Sequence, residues 1–222
     1  MHTLYVSRIH RMINIGILAY GSLIEDPGKE IKPLIRERKV GVETPFRIEF
    51  ARSSSTRDGA PTVVIVENGG CTVRATILVL DAAISRKKAE DLLWRRETRN
   101  ECTAKHYNPS SEANPNKMIV ESLIDFGGLN VVLYTKLGAN ITDLSASKLA
   151  GLAIASAKAE AGKTGKDGIS YLISVKRQGI STPLMQTYES EILKRTSASN
   201  LEDAFATCRN ARKAEPAVGR NA

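Results

Sequence analysis

At 222 residues the chain has the length of one domain with a full core, and 42% hydrophobic with 25% charged residues places it in the globular class. That balance excludes disordered, collagenous and membrane-embedded classes. The formal charge of +8 invites a polyanionic partner, but Arg8 and Arg11 sit in residues 1–11, and residues 194–222 hold six basic against three acidic residues, so 12–193 keeps only +3.

Residues 1–11 read as a loose extension, with Met12 as the natural start. The apolar run from Ile13 to Leu18 is broken by Asn14 and followed by no cleavage pattern, unlike a signal peptide. The first predicted strand, 14–20, ends in Tyr20-Gly21-Ser22-Leu23. A buried strand that stops at a glycine leaves N–H groups of the next turn unpaired, and these can hold an anion. Further strands are predicted at 46–51, 62–67 and 72–80 from β-branched enrichment between glycine-containing breaks, with Asn68-Gly69-Gly70 as a hairpin turn between the last two. After the second strand, Arg52-Ser53-Ser54-Ser55-Thr56-Arg57 offers hydroxyls and two arginines to an anionic ligand, while Asp58-Gly59 and Pro61 are ordinary turn residues.

A helix is predicted over 83–96. If it runs one residue further, Ala89, Leu93 and Glu97 stack at four-residue spacing, so Glu97 extends the apolar face while Arg95, Arg96 and Arg99 project elsewhere. The competing interpretation is an exposed ion pair between Glu97 and an arginine at a solvated helix end. The connector 100–117, with Glu101, Cys102, His106, Asn108-Pro109, Glu112 and Asn114-Pro115, reads as a lid or irregular loop. A Cys102/His106 thiol site lacks a third partner. Strands at 118–124 and 131–135 flank Asp125-Phe126-Gly127-Gly128. Helical patterns follow at 144–161, 166–178 and 182–194. The last has Thr182 as N-cap, Pro183 at the first helical position, and Leu184, Tyr188 and Ile192 on one face. Residues 12–195 form the domain, and 196–222 read as a mobile basic tail.

The elements together predict an α+β fold, a small mixed β-barrel with flanking helices. Cys71, Cys102 and Cys208 are odd in number and make no CxxC pair, as expected of free thiols in a cytoplasmic protein. With His2, His10 and His106 as the histidines, no His-rich metal site is expected. There is no Walker A, GxGxxG, GxSxG or zinc spacing. Aromatic residues are too scarce for a base-stacking platform, so nucleic acid is not the expected partner, and no membrane association is expected.

Tyr20-Gly21-Ser22-Leu23 after the first strand, the Arg52-to-Gly70 block and Glu97 in an Arg-Arg-Glu context, in that order, resemble the γ-glutamylcyclotransferase-like superfamily over roughly residues 13–135. The resemblance implies a compact mixed barrel with a cavity at one end. It implies that Tyr20, Gly21, Ser22 and Leu23 bind the amino-acid end of a γ-glutamyl group, that Glu97 is the catalytic base, and that no metal or cofactor takes part. The reaction it implies is cyclisation of a γ-glutamyl amine, peptide or conjugate to 5-oxoproline with release of the amine. The alternative is a binding module of the same fold that holds a small metabolite without turnover. In the glutathione-acting branch the loop runs on into an aromatic residue and the glutamate is followed by Lys-Gly-Gly-Tyr or something close. Here the continuations are Ile24-Glu25-Asp26-Pro27 and Thr98-Arg99-Asn100, which speaks against glutathione.

Overall fold

A computed structural model describes residues 14–109, 114 and 116–214; the extension expected over 1–11, and Met12, lie outside the described residues. The axis of the fold is β1 (Ile15–Ala19), buried along its whole length. A strand covered on both faces reads as a continuous apolar run rather than an alternation, which is the pattern seen here. It pairs antiparallel with β5 (Arg74–Leu80) and parallel with β7 (Leu129–Lys136). With β2 (Ile35–Glu43) and β6 (Ile119–Phe126) these make a five-stranded sheet in the order β2-β5-β1-β7-β6, while β3 (Ile48–Ser54) and β4 (Ala60–Ile65) form a separate pair.

The chain is therefore α+β, with a mixed sheet and flanking helices. Among the described residues the expected barrel is not closed. The two ladders meet through the isolated bridge between Ile48 of β3 and Cys71, just ahead of β5. Asn68-Gly69-Gly70 correspondingly does not close a hairpin: β4 pairs with β3, whereas β5 pairs with β1 and β2, so this turn carries the chain from one ladder to the other. Gly127 and Gly128 do close one, both at positive φ between the paired Phe126 and Leu129, as a tight two-residue turn requires.

Strand β2 was not expected. Its sequence, Ile-Arg-Glu-Arg-Lys-Val-Gly-Val-Glu, is charged because it is a mostly exposed edge, and two register shifts interrupt its pairing with β5.

Helix α1 (Ser22–Glu25) is a single turn. Helix α2 (Arg86–Glu97) lays Ala89, Leu92 and Leu93 on the face of the sheet that carries Ile15, Ile17 and Leu133. The opposite face buries Leu18, Ile77 and Val132 with Phe46 packed beside them. A third cluster joins Ile48, Phe50 and Val63 to α3 (Ala146–Lys158), α5 (Gly168–Arg177), α6 (Met185–Thr196) and α7 (Leu201–Ala214), with the short α4 (Glu160–Lys163) between α3 and α5. Helix α7 corrects the expectation of a mobile tail over its span, because Leu201, Ala204 and Cys208 are buried. Its start was legible: the Asn200 side chain accepts from the Asp203 N–H, an N-cap in sequence as in structure.

Thr182 does not cap α6, which begins at Met185 behind Leu184. Its hydroxyl donates to buried Glu49 at 2.6 Å, and Glu49 also accepts the N–H groups of Leu184 and Phe50. This ties the start of α6 to β3, with the buried carboxylate's oxygens satisfied.

Tyr188 packs edge-on to Phe50 at 5.3 Å and belongs to the helical core, not to the cavity. Among the described residues its buried hydroxyl has no hydrogen-bond partner, and burial pushes it far above the usual phenol range. Removing that oxygen relieves an unmet desolvation cost of about 1–3 kcal/mol. Tyr188→Phe should therefore raise the melting temperature by about 2–6 °C; a lower value would show that the hydroxyl is satisfied in solution.

Candidate functional site

The first wall of the site begins where β1 stops. Gly21 adopts φ 62° and ψ −137°, a conformation that side-chain-bearing residues avoid. A Cβ placed there would lie 2.7 Å from the Tyr171 hydroxyl oxygen, so the backbone approaches α5 more closely than any other residue type permits. The chain then turns into α1, where the Ile24 N–H returns to the Gly21 carbonyl and the Asp26 N–H to the Ser22 carbonyl. Leu23 is buried in the α2 cluster and fastens the turn to the sheet. Tyr20 donates its hydroxyl to the Thr135 carbonyl of β7 at 3.0 Å and sets its ring against Phe46. Burial first, and the charge of Glu97 second, drive its phenol well above its ordinary range, so Tyr20 remains a neutral donor.

The second wall is the end of α2. Glu97 is its last residue and its side chain is 18% exposed, continuing the face of fully buried Ala89 and Leu93 as the spacing predicts. The helix stops because Arg99 takes a left-handed φ of 56°, while the Thr98 N–H and hydroxyl both return to the Trp94 carbonyl. Glu97, Tyr20, Ser22 and Leu23 line one cavity of about 510 Å³. Gly21 shapes that cavity through its turn. The loop and the carboxylate expected to act together thus line a single space.

Arg96 was expected to project elsewhere, and it does not. Its guanidinium folds around the helix end, donates to the Asp26 carbonyl and to Glu97 at 2.5 Å, and reaches the Ser22 hydroxyl at 3.4 Å. The long stem makes this possible where helical projection alone would not. Arg95 does point away, but into the protein: it is 3% exposed and pairs with Glu30 through two nitrogens. The hydrogen bond from Arg95 holds Glu30 below the usual carboxylate range, and the Cys102 N–H adds to it.

The connector 100–109 is fastened to α2. Glu101 reaches the cavity and accepts the Lys29 N–H at 2.6 Å. His106 bonds Asp91 at 2.8 Å rather than a thiol, and Cys102 is exposed. Burial acts to raise the pKa of Asp91, but the bonds from His106, the Tyr107 N–H and Lys87 outweigh it and hold the carboxyl at about 2. A carboxyl depressed in the folded state contributes stability that is complete above the unfolded value near about 4 and is lost as the pH falls through about 2. Asp91→Asn should therefore flatten the stability profile between about pH 4 and 2, read by urea unfolding at fixed pH. An unchanged slope would remove Asp91 from that role.

The third wall is the polar segment after β3. Ser54, Ser55, Thr56 and Arg57 line the cavity, as does Arg52, whose guanidinium donates to the Gly138 carbonyl. Arg57 lies 5.0 Å from the Tyr171 ring centroid and donates to the Lys166 carbonyl. Burial pushes the Tyr171 phenol up to about 12. Ser156 closes the back of this turn by donating to the Arg57 carbonyl.

No protein-family model matches the chain, and no curated protein matches it either. The chemistry of the site therefore rests on its geometry. Among the described residues, no cluster of three or more His, Cys, Asp or Glu could hold a metal ion, and no helix is long and apolar enough to cross a membrane.

Sequence reasoning missed Arg96, Tyr171 and Lys166. Tyr171 falls on the buried face of α5 with Ile169, Leu172 and Val175, so its spacing marks it as core. Nothing in the spacing shows that its hydroxyl abuts a glycine 150 positions earlier. Lys166 precedes the Asp167 N-cap of α5, and a lysine there carries no local signal of a cavity.

Proposed function

We propose that this cavity cyclises γ-glutamyl compounds to 5-oxoproline, in keeping with the resemblance of the sequence to the γ-glutamylcyclotransferase-like superfamily. One observation carries the reading: a partly buried carboxylate, Glu97, lines the same cavity of about 510 Å³ as Tyr20, Ser22 and Leu23 of the turn. The turn would hold the amino-acid head group through its N–H groups, and Glu97 would meet the ammonium.

The covalent chain already joins the amine to the carbonyl it attacks, so the protein need only hold the folded conformer and move protons. Glu97 removes a proton from the ammonium. The freed nitrogen attacks the γ-carbonyl carbon, the new C–N bond closes the five-membered ring, and the old C–N bond breaks. Two of the three ammonium protons leave: both end on the departing nitrogen, the first making it a neutral amine and the second its ammonium. One carboxylate can relay both in turn. The turn N–H groups are the available donors to the developing oxyanion, while Tyr20, kept protonated, holds the turn to the Thr135 carbonyl. A cytoplasmic setting suits such a substrate.

The second reading, ligand binding without turnover, draws on the Arg96–Glu97 ion pair, which occupies one carboxylate oxygen. A panel of γ-glutamyl amines and peptides, assayed for 5-oxoproline with the protein and its Glu97→Gln variant, separates the two. Product from the protein and not from the variant supports cyclisation. A raised melting temperature with no product supports binding alone.

A further inference from the structure

The two edges of the five-stranded sheet are built differently. Strand β2 is guarded: it carries Arg36, Glu37, Arg38 and Lys39, two register shifts and Gly41 at a φ of 73°, devices that keep a further strand from adding. Strand β6, at the other edge, has neither a basic run nor a register shift. It also holds Ile124 at 62% exposure, which with Val40 is one of two large hydrophobic residues left exposed among the described residues.

The bonds of β7 show which groups of β6 face outward. In an antiparallel ladder the N–H and C=O of one residue point to the same side, and the side alternates along the strand. On β7 the Val131 N–H meets the Asn14 carbonyl and the Thr135 carbonyl meets the Tyr20 hydroxyl, so both residues turn toward β1. Their partners in β6, Ile124 and Val120, therefore turn their backbone groups outward, and Ser122 between them does the same. Val120 is already covered, because its N–H and carbonyl both meet the Tyr107 hydroxyl, at 3.1 and 3.4 Å. The backbone N–H and C=O groups of Ser122 and Ile124 have no partner among the described residues. Free edge groups beside an exposed isoleucine are a template for one more strand.

We propose that a second copy of this chain supplies that strand, its β6 pairing antiparallel with this one about a two-fold axis at Ile124. Charge and the Tyr107 contact select the register. An axis at Ser122 sets Ile124 against Val120, whose groups Tyr107 holds. One at Leu123 sets Glu121 opposite the partner's Asp125, and one at Asp125 sets two aspartates side by side; like charges directly opposite are destabilising. With the axis at Ile124, that residue lies against the partner's Ile124, Ser122 lies against the partner's Phe126, and Glu121 comes beside the partner's Gly127. Lys39 sits at that last position, donating to the Gly127 carbonyl at 3.1 Å. Glu121 is on the same face: it accepts from the Tyr134 hydroxyl, and Tyr134 packs in one cluster with Ile77, against which Gly127 lies. Its only other charged neighbour among the described residues is Lys136 of its own chain, at 3.8 Å. The two-fold repeats the Lys39–Glu121 contact, so the edge is self-complementary in charge as well as in hydrogen bonding. The guarded β2 keeps the assembly closed as a dimer.

A short strand edge buries less than a standard interface, so the full chain should dimerise with a Kd of about 1–100 µM, read by sedimentation velocity over a concentration series. Ile124→Lys, at an exposed position, should leave the circular dichroism and melting temperature in place and weaken the dimer by more than about tenfold. Lys39→Glu and Glu121→Lys should each weaken self-association by about tenfold or more, because each sets two like-charged pairs across the axis. Mixed in equal amounts, these two single variants should recover the dimer, since both contacts then join a lysine to a glutamate. Amide hydrogen exchange at Ser122 and Ile124 should slow as the protein concentration rises. A chain that stays monomeric to about 1 mM overturns the dimer; if its Ser122 and Ile124 amides are nevertheless protected, another segment of the same chain covers the edge. A dimer untouched by Ile124→Lys, or a mixture that associates no more tightly than either variant alone, overturns this interface.

Discussion

Glu97→Gln is expected to lower 5-oxoproline formation by about 10²- to 10⁴-fold, the range associated with losing one positioned general acid–base group. Glutamine keeps the size of the side chain and can still accept from Arg96, so the wall between α2 and the loop should persist. The ion pair is partly exposed, so the cost in stability should stay at or below about 1 kcal/mol. The loss must then appear in kcat. On the proposed reading the turn holds the head group, so Michaelis constants should change little. A variant with wild-type kcat would mean that the proton moves by another route and would end the role assigned to Glu97.

Gly21→Ala should have the second large effect, and by a different mechanism. The required φ of 62° with ψ −137° costs a residue with a Cβ about 1–3 kcal/mol. The new methyl group would also lie 2.7 Å from the Tyr171 hydroxyl oxygen, and neither backbone nor ring can yield freely there. Helix α5 is fixed by Asp167, whose carboxylate accepts the Ile169 and Ser170 N–H groups from a fully buried position. The turn, not the helix, should therefore shift. The melting temperature should fall by about 2–10 °C, and kcat/KM should drop by more than tenfold as the head-group cradle leaves its register with Glu97. Tyr171→Phe removes the hydroxyl, so placed beside Gly21→Ala it should restore part of the loss. Strict additivity of the two changes would show that backbone conformation alone accounts for the effect.

Both residues at issue were legible in the sequence because their signals are local. A glycine that ends an apolar strand and a glutamate that continues an i, i+4 apolar face are consequences of backbone geometry, and the structure brings the two segments together across one cavity. What escaped is either masked by charge or long-range. Strand β2 hides its pairing under Arg36, Glu37, Arg38 and Lys39, because an exposed edge has no need of an apolar stripe. Thr182 and Pro183 satisfy every local rule for a helix start, yet the hydroxyl finds a better acceptor in Glu49, 133 positions earlier. Asn68-Gly69-Gly70 has hairpin chemistry, but strand order decides which strands it joins. Arg96 was misplaced because the reach of its stem was ignored. Helix α7 was the avoidable miss, since Asn200, Asp203 and the Leu201, Ala204, Cys208 spacing were all present.

The abutment of Tyr171 on Gly21 also governs when the site comes into being. Residues 14–136 supply the whole five-stranded sheet, Glu97 and the turn, and a ribosome releases them well before α5. Until α5 docks, Gly21 has Val63 beside it but not the Tyr171 hydroxyl, and the third wall lacks both Tyr171 and Lys166. The cavity is thus completed late in biosynthesis, as the final third of the chain folds back on the first. A nascent chain stalled before α5 would carry Glu97 and the turn but not the wall that Tyr171 and Lys166 supply.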